Sequence, residues 1–240
     1  MTESITENKI ALVTGANKGI GYEIAAQLAA LGMTVVIGAR DTQRREEAAK
    51  ALRVESVALD VTDVTSVQAA AKEIEQRFGQ LDVLVNNAGI TGGSYNTPSQ
   101  VELDIVRRVF ETNFFGVITV TNAMLPLLSR SPAARIVNVS STVGSFATMT
   151  DPNSPLAALP ASATYPVSKS ALNALTLQYA KELGGILVNA VCPGYCATDL
   201  NNHSGVRTAA QGAAIAVRLA TLGADGPTGG FFDDNGEVAW

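Results

Sequence analysis

Very little in this sequence points outward. Its 240 residues include two cysteines and one histidine, and only 16% are charged. The formal net charge of -5 comes with no basic run, which argues against nucleic acid or an anionic membrane as partner. Cys192 and Cys196 form neither a CxxC pair nor a disulfide framework, so they read as reduced thiols. The stretch Met1 to Asn8 is polar and acidic, without the basic start and apolar core of a signal peptide, and reads as a flexible tail. No apolar segment approaches the roughly 20 residues that span a bilayer. A cytoplasmic location is expected. Internal repeats and linkers are missing too, so residues 9–240 are expected to form one domain.

What is there is an alternation of short β-rich runs and helical stretches, in a chain that is 47% hydrophobic and so ordinarily globular. Lys9 to Thr14, Met33 to Gly38, Val54 to Leu59, Leu81 to Asn86, Arg135 to Ser140 and Ile186 to Val191 read as strands, with a seventh at Gly230 to Phe232. Helices are expected at Ile20 to Leu31, Thr42 to Leu52, Val64 to Phe78 (capped near Asp63), Ser99 to Leu128, Tyr165 to Leu183 and Val206 to Leu222. Strands this apolar, separated by helices, imply a parallel sheet covered on both faces. Right-handed crossovers then give an α/β fold: a single doubly wound Rossmann domain with about seven parallel strands. The segment from Thr142 to Thr164 contains Pro152, Pro155 and Pro160, so it is expected to be a lid or binding loop.

The chemistry begins at Thr14-Gly15-Ala16-Asn17-Lys18-Gly19-Ile20-Gly21, between the first strand and the first helix. The GxxxGxG spacing supplies a tight turn and close backbone approach to a pyrophosphate, and the helix N-terminus supplies free N–H groups. Asn86-Asn87-Ala88-Gly89 closes the fourth strand. Together with Ser140-Ser141, Tyr165-Pro166-Val167-Ser168-Lys169 and Pro193-Gly194, in that order, these motifs resemble the classical short-chain dehydrogenase/reductase family across essentially the whole chain. Thr112-Asn113-Phe114-Phe115-Gly116 and the long loop before Tyr165 are similar to its carbonyl-reductase branch.

The resemblance implies a nicotinamide cofactor. An acidic residue ending the second strand would hold the ribose 2′-hydroxyl of NAD, but this strand ends at Gly38-Ala39-Arg40, with Lys18 in the glycine turn. Two cations suit the 2′-phosphate of NADP(H). Asp41, one residue late, reads as a helix cap. The resemblance places Asp60 and Val61 beside the adenine; the other reading of Asp60 is a surface residue starting a turn. Asn87, Ala88 and Gly89 are expected along the cofactor. The family pattern also puts Pro193 and Gly194 beside the nicotinamide and Thr198 on its carboxamide.

Tyr165 and Lys169 are four residues apart, on one face of a helix. A phenol is a poor proton donor or base unless its pKa is drawn toward neutrality, which a nearby ammonium and the oxidised cofactor's positive charge favour. The family assigns Tyr165 the proton transfer and a contact with the cofactor, and Lys169 that electrostatic role plus a hold on the cofactor ribose. Ser141, rather than Ser140, takes the hydrogen bond to the substrate oxygen. Asn113 is unusual inside a helix; the resemblance makes it a backbone distortion leading to Lys169. Pro166 is expected in the first turn of a helix starting at or just after Tyr165. Tyr195, Cys196, Phe146 and Met149 read either as an apolar substrate pocket or as ordinary packing, and His203 as an exposed loop residue. No metal is expected.

The resulting expectation is NADPH-dependent reduction of a ketone or aldehyde, or the reverse oxidation of an alcohol. An NAD-dependent secondary-alcohol dehydrogenase, an acyl-carrier-protein reductase and a non-catalytic nucleotide sensor stay open. A homo-oligomer also stays open, since the family tetramerises through helices near Asn113 and Lys169 and the long loop would obstruct that contact.

Overall fold

The computed structural model describes residues 9–93 and 96–240; the expected tail at residues 1–8 lies outside them. The chain runs β1 (Ile10–Thr14), α1 (Gly19–Ala30), β2 (Thr34–Ala39), α2 (Thr42–Leu52), β3 (Glu55–Ala58), α3 (Val64–Phe78) and β4 (Val83–Asn86). It continues through α4 (Leu103–Phe110), a π-helical turn (Glu111–Phe115), α5 (Gly116–Leu128), β5 (Arg135–Val139), α6 (Phe146–Thr150), α7 (Tyr165–Glu182), β6 (Leu187–Val191), α8 (Ala209–Ala220), β7 (Phe231–Asp233) and β8 (Gly236–Glu237). The sheet order is β3-β2-β1-β4-β5-β6-β7-β8. β1 to β7 pair in parallel, and β8 folds back antiparallel on β7. The sequence gives seven strands; the eighth is a two-residue return too short for its pattern to be read.

Strand alternation builds two apolar layers from the same residues. Along β1, Ala11 and Val13 face a core with Ile24, Leu28 and Ile215 from α1 and α8. Leu12 points the other way, toward Ile74, Met124 and Tyr179 from α3, α5 and α7. Leu12, Ile24 and Ile74 are completely buried, and each such side chain contributes about 1.5–3 kcal/mol through burial.

Local signals set the helix ends. Asp41 caps α2 by accepting from the Arg44 N–H at 3.0 Å, and Asp63 caps α3 by accepting from the Thr65 N–H at 2.9 Å. The helix expected from Ser99 to Leu128 is corrected in two ways. It starts at Leu103, after a turn in which the Gln100 N–H donates to the Thr97 carbonyl at 3.0 Å. It is also interrupted at Glu111–Phe115, where the backbone widens to a π turn. The proline-rich segment carries short 3-10 turns at Thr142–Gly144 and Pro155–Ala158 around α6.

The point where the strand order reverses, between β1 and β4, puts the loops after both strands at one crevice beyond their carboxyl ends. Among the described residues, no helix is long and apolar enough to cross a membrane, and no cluster of His, Cys, Asp or Glu could hold a metal ion.

Candidate active site

The crevice is a cleft of about 560 Å³. Its floor is the glycine turn: Gly15, Asn17, Lys18, Gly19, Ile20 and Gly21 all line it. Gly15 sits at φ 64°, and a Cβ there would meet the Ala88 Cα at 2.9 Å. At Gly21 a Cβ would lie 2.3 Å from the Asn87 Nδ2. The two motifs are therefore pressed together, and only glycine fits between them. Asn87 fixes the contact by donating from Nδ2 to the Thr14 carbonyl at 2.8 Å. Thr14, which opens the glycine motif without an assigned role, accepts at Oγ1 from the Asn87 and Ala88 N–H groups at 3.0 and 3.1 Å.

The other walls come from the ends of β2, β3, β4 and the loop after β6. Arg40, Asp60, Val61, Asn87, Ala88, Gly89 and Thr198 all line the cleft. Pro193 and Gly194 lie outside its lining; the Pro193 carbonyl accepts from the buried Cys196 thiol at 3.2 Å, and Gly194 packs on Arg207. Asp60 Oδ1 accepts from the Thr62 N–H at 3.0 Å and hydroxyl at 2.7 Å, so it starts a turn and lines the cleft at once. Those hydrogen bonds and nearby Arg40 hold its carboxyl below the ordinary range against the opposing effect of burial.

Lys18 and Arg40 both reach the cleft with a carboxylate beside them. The Lys18 ammonium lies 2.5 Å from Asp199, and Arg40 lies 3.9 Å from Asp60. Asp199, whose second oxygen is 2.9 Å from the His203 Nε2, is a cleft residue that the sequence did not reveal. His203 is exposed as expected, yet it also lines the cleft.

One end of the cleft leads to the second constellation. Gly89 lines the cleft, and a Cβ there would stand 3.4 Å from the Asn113 Oδ1 and 3.7 Å from the Lys169 Nζ. Asn113 is fully buried in the π turn. Its amide accepts from the Ile90 N–H at 2.9 Å, donates to the Ile90 carbonyl at 2.9 Å and donates to the Ser168 hydroxyl at 3.0 Å. The side chain thus stitches the β4 loop to α7, with the helix widened where it does so.

α7 opens at Tyr165 with Pro166 in its first turn, so the proline leaves the helical spacing of Tyr165 and Lys169 intact. The Ser141 Oγ accepts from the Val143 N–H at 3.4 Å, and its hydroxyl is near enough to Tyr165 to favour the phenolate. Lys169 is buried, with its ammonium 5.5 Å from the Tyr165 ring centroid and donating to the Val139 carbonyl at 2.7 Å. Burial draws the Lys169 ammonium down to about 8, against the opposing effect of Cys192. The expectation of a Tyr165 phenol drawn toward neutrality is corrected for the protein's own groups. Desolvation pushes that phenol well up, Cys192 adds to the push, and only the nearby Ser141 hydroxyl opposes it. Cys192, buried behind the pair, accepts at Sγ from the Thr142 N–H at 3.3 Å. Ser140 turns away, its hydroxyl donating to the Asn173 Oδ1 at 2.5 Å, so it ties β5 to α7.

Residues 9–208 match the family model described as short chain dehydrogenase. The chain belongs to the short-chain dehydrogenase family. Within it, the chain falls in the carbonyl-reductase-like branch and is an oxidoreductase of the alcohol/carbonyl group. It is 33% identical over 306 residues to (+)-neomenthol dehydrogenase of Capsicum annuum, covering 97% of this chain and 98% of that one. It is 33% identical over 280 residues to carbonyl reductase [NADPH] 1 of Sus scrofa, covering 98% and 95%. The solved structure of salutaridine reductase from Papaver somniferum superimposes with a TM-score of 0.82 at 32% identity, over 95% of this chain and 100% of that one.

Proposed function

We propose that this short-chain dehydrogenase reduces a ketone or aldehyde with NADPH, and runs the reverse oxidation, with Tyr165 as the acid/base. The observation that carries this reading is the junction at Gly89. There a cleft of dinucleotide size, floored by glycines, meets Lys169 and Asn113, with Tyr165 one helical turn before Lys169 on α7 and Ser141 at the turn after β5.

The residues present fit a nicotinamide dinucleotide. Gly15, Gly19 and Gly21 line the cleft beside the N-terminus of α1, where a pyrophosphate is favoured, and the close packing of Gly15 and Gly21 on Ala88 and Asn87 fixes that floor. Lys18 and Arg40 would hold a 2′-phosphate. Both are exposed and paired with carboxylates, and such pairs are weak enough for a doubly charged phosphate to displace. Asp41 does not compete as a ribose ligand in this reading, because its Oδ1 is engaged as the α2 cap. When bound, the cofactor supplies or accepts the hydride, and its oxidised form adds a positive charge.

In reduction, the Ser141 hydroxyl donates a hydrogen bond to the carbonyl oxygen as negative charge develops there. The Tyr165 hydroxyl then gives its proton to that oxygen. The Lys169 ammonium and the positive charge of the oxidised cofactor would offset the desolvation of that phenol and draw it back toward neutrality, as a proton donor needs. The phenolate left behind is stabilised by the Lys169 ammonium, whose own lowered affinity eases a proton passing outward. Asn113 holds the backbone at Ile90 and α7 in one register, so that Lys169 faces the cleft.

The test is consumption of reduced cofactor with a panel of ketones and aldehydes, using NADPH and NADH in parallel. Turnover with NADPH in preference to NADH supports the reading, and a Ser141→Ala variant should lose about 10²–10³-fold in kcat. NADPH binding without turnover of any carbonyl would favour the sensor alternative.

A further inference from the structure

The turn that carries Ser141 is held on three sides. Toward β6, the Thr142 N–H donates to the Cys192 Sγ at 3.3 Å. Toward α7, Gly144 is so close that a Cβ would meet the Lys169 carbonyl carbon at 2.6 Å. The third side comes from residues 238–240, nearly a hundred positions away in sequence. The Ser145 hydroxyl donates to the Ala239 carbonyl at 2.7 Å, and the Ala147 N–H donates to the Trp240 carbonyl at 3.0 Å. Ser145 is completely buried, and its Oγ also accepts from the Thr148 N–H at 3.0 Å, so one hydroxyl both starts α6 and ties it to this segment.

Two contacts hold the segment itself. The Val238 N–H donates to the Phe231 carbonyl at 2.7 Å. The Trp240 ring stacks on the buried Phe231 ring with centroids 5.5 Å apart and planes at 20°. Phe231 packs with Cys192 and Ala190 in a small apolar cluster that Val238 and Trp240 complete. Neither 238–240 nor 145–147 lines the cofactor cleft. The brace therefore serves the Ser141 side of the site alone.

We propose that Trp240 is a positioning residue for the carbonyl-oxygen site: stacked on Phe231, it fixes residues 238–240, whose carbonyls pin Ser145 and Ala147 and so hold the Ser141 hydroxyl against Tyr165. The proposal rests on the reading of Ser141 and Tyr165 given above. Without the stack, the turn keeps its contacts to β6 and α7 but gains freedom where α6 begins, and Ser141 spends less time aligned. A misplacement of about 1 Å at a reacting group costs on the order of 10²-fold, and a turn freed on one side of three falls short of that.

The experiment is a set of variants read by two methods. Trp240→Ala should lower kcat on a carbonyl substrate roughly 10-fold, with the Kd for NADPH within about twofold, and Trp240→Phe should restore most of the loss by restoring a stacked ring. Ser145→Ala, which leaves Phe231 and Trp240 untouched, should reproduce part of it. In a Ser141→Ala background, Trp240→Ala should cost almost nothing further, because the two act through one hydroxyl. Equal losses in the wild-type and Ser141→Ala backgrounds, or a matching loss of NADPH affinity, would overturn the positioning role. Amide hydrogen exchange needs no substrate: Trp240→Ala should speed exchange at 147 and 148 and leave the sheet unchanged. Unchanged exchange there would refute the brace itself. An inactive wild-type protein would instead sink the functional reading, and exchange would still decide whether Trp240 holds the turn.

Discussion

Removing both cations from the phosphate end of the cleft should turn a selective cofactor site into an indifferent one. The perturbation is Lys18→Ala with Arg40→Ala. Hydrogen bonds to charged groups contribute about 1.5–3 kcal/mol when shielded, but these side chains are 51% and 72% exposed. Each also leaves a carboxylate partner to reach the phosphate, so about 1 kcal/mol apiece is the reasonable share. The pair then contributes about 2 kcal/mol, a roughly 30-fold loss of NADPH affinity at about 1.4 kcal/mol per decade. NADH, which carries no 2′-phosphate, should change by less than about twofold on the same arithmetic. The assay is titration of each reduced cofactor by its fluorescence, at low and moderate salt. Wild-type preference for NADPH should shrink as salt rises, since the contacts are exposed. Equal losses for NADPH and NADH would refute the assignment of Lys18 and Arg40, and would place their role in the shape of the glycine turn instead.

Further predictions concern the other end of the cleft. Asn113→Ala deletes three hydrogen bonds of a fully buried amide, at about 0.5–1.5 kcal/mol each. The melting temperature should therefore fall by about 3–18 °C in a domain of this size, and Asn113→Asp, which keeps only the acceptor for the Ile90 N–H, should not rescue it. Lys169 is drawn down to about 8 by burial, so it is an ammonium below that pH and neutral above. Reduction, which needs that charge beside the forming phenolate, should decline as pH rises through about 8 in kcat/KM for the carbonyl. A Lys169→Met variant should be slow at every pH and lack that limb, and an unchanged limb would assign the titration elsewhere.

The parts of this molecule that local chemistry dictates were legible from residues alone. The glycine turn, the capping aspartates at 41 and 63 and the buried strands follow from short-range rules, and all occupy their expected places. Apolar spacing did not reveal the π turn at Glu111–Phe115, because it reads through an inserted residue as one continuous helix; only the family resemblance pointed to a backbone distortion at Asn113. The reason for the insertion, the Asn113 amide capturing both backbone groups of Ile90, involves residues 23 positions apart. Asp199, and the role of Thr14 within the glycine motif, were not legible for a similar reason: they arise only when the loop after β6 and the end of β4 come alongside the glycine turn. The upward push on the phenol from the protein's own groups was not legible, because the helical spacing of Tyr165 and Lys169 sets their proximity but not their burial. The brace from Trp240 to α6 has no local signature at all.

The central claim, that Tyr165 donates the proton to a carbonyl oxygen in an otherwise intact cofactor site, is tested most directly by Tyr165→Phe. The measurement is a single turnover of carbonyl reduction with NADPH already saturating the enzyme, alongside titration of NADPH binding. The account predicts a loss of about 10²–10⁴-fold in the rate, with NADPH affinity within about twofold of the wild type because Tyr165 lies outside the cleft lining. A rate within tenfold of the wild type, with binding unchanged, would contradict it.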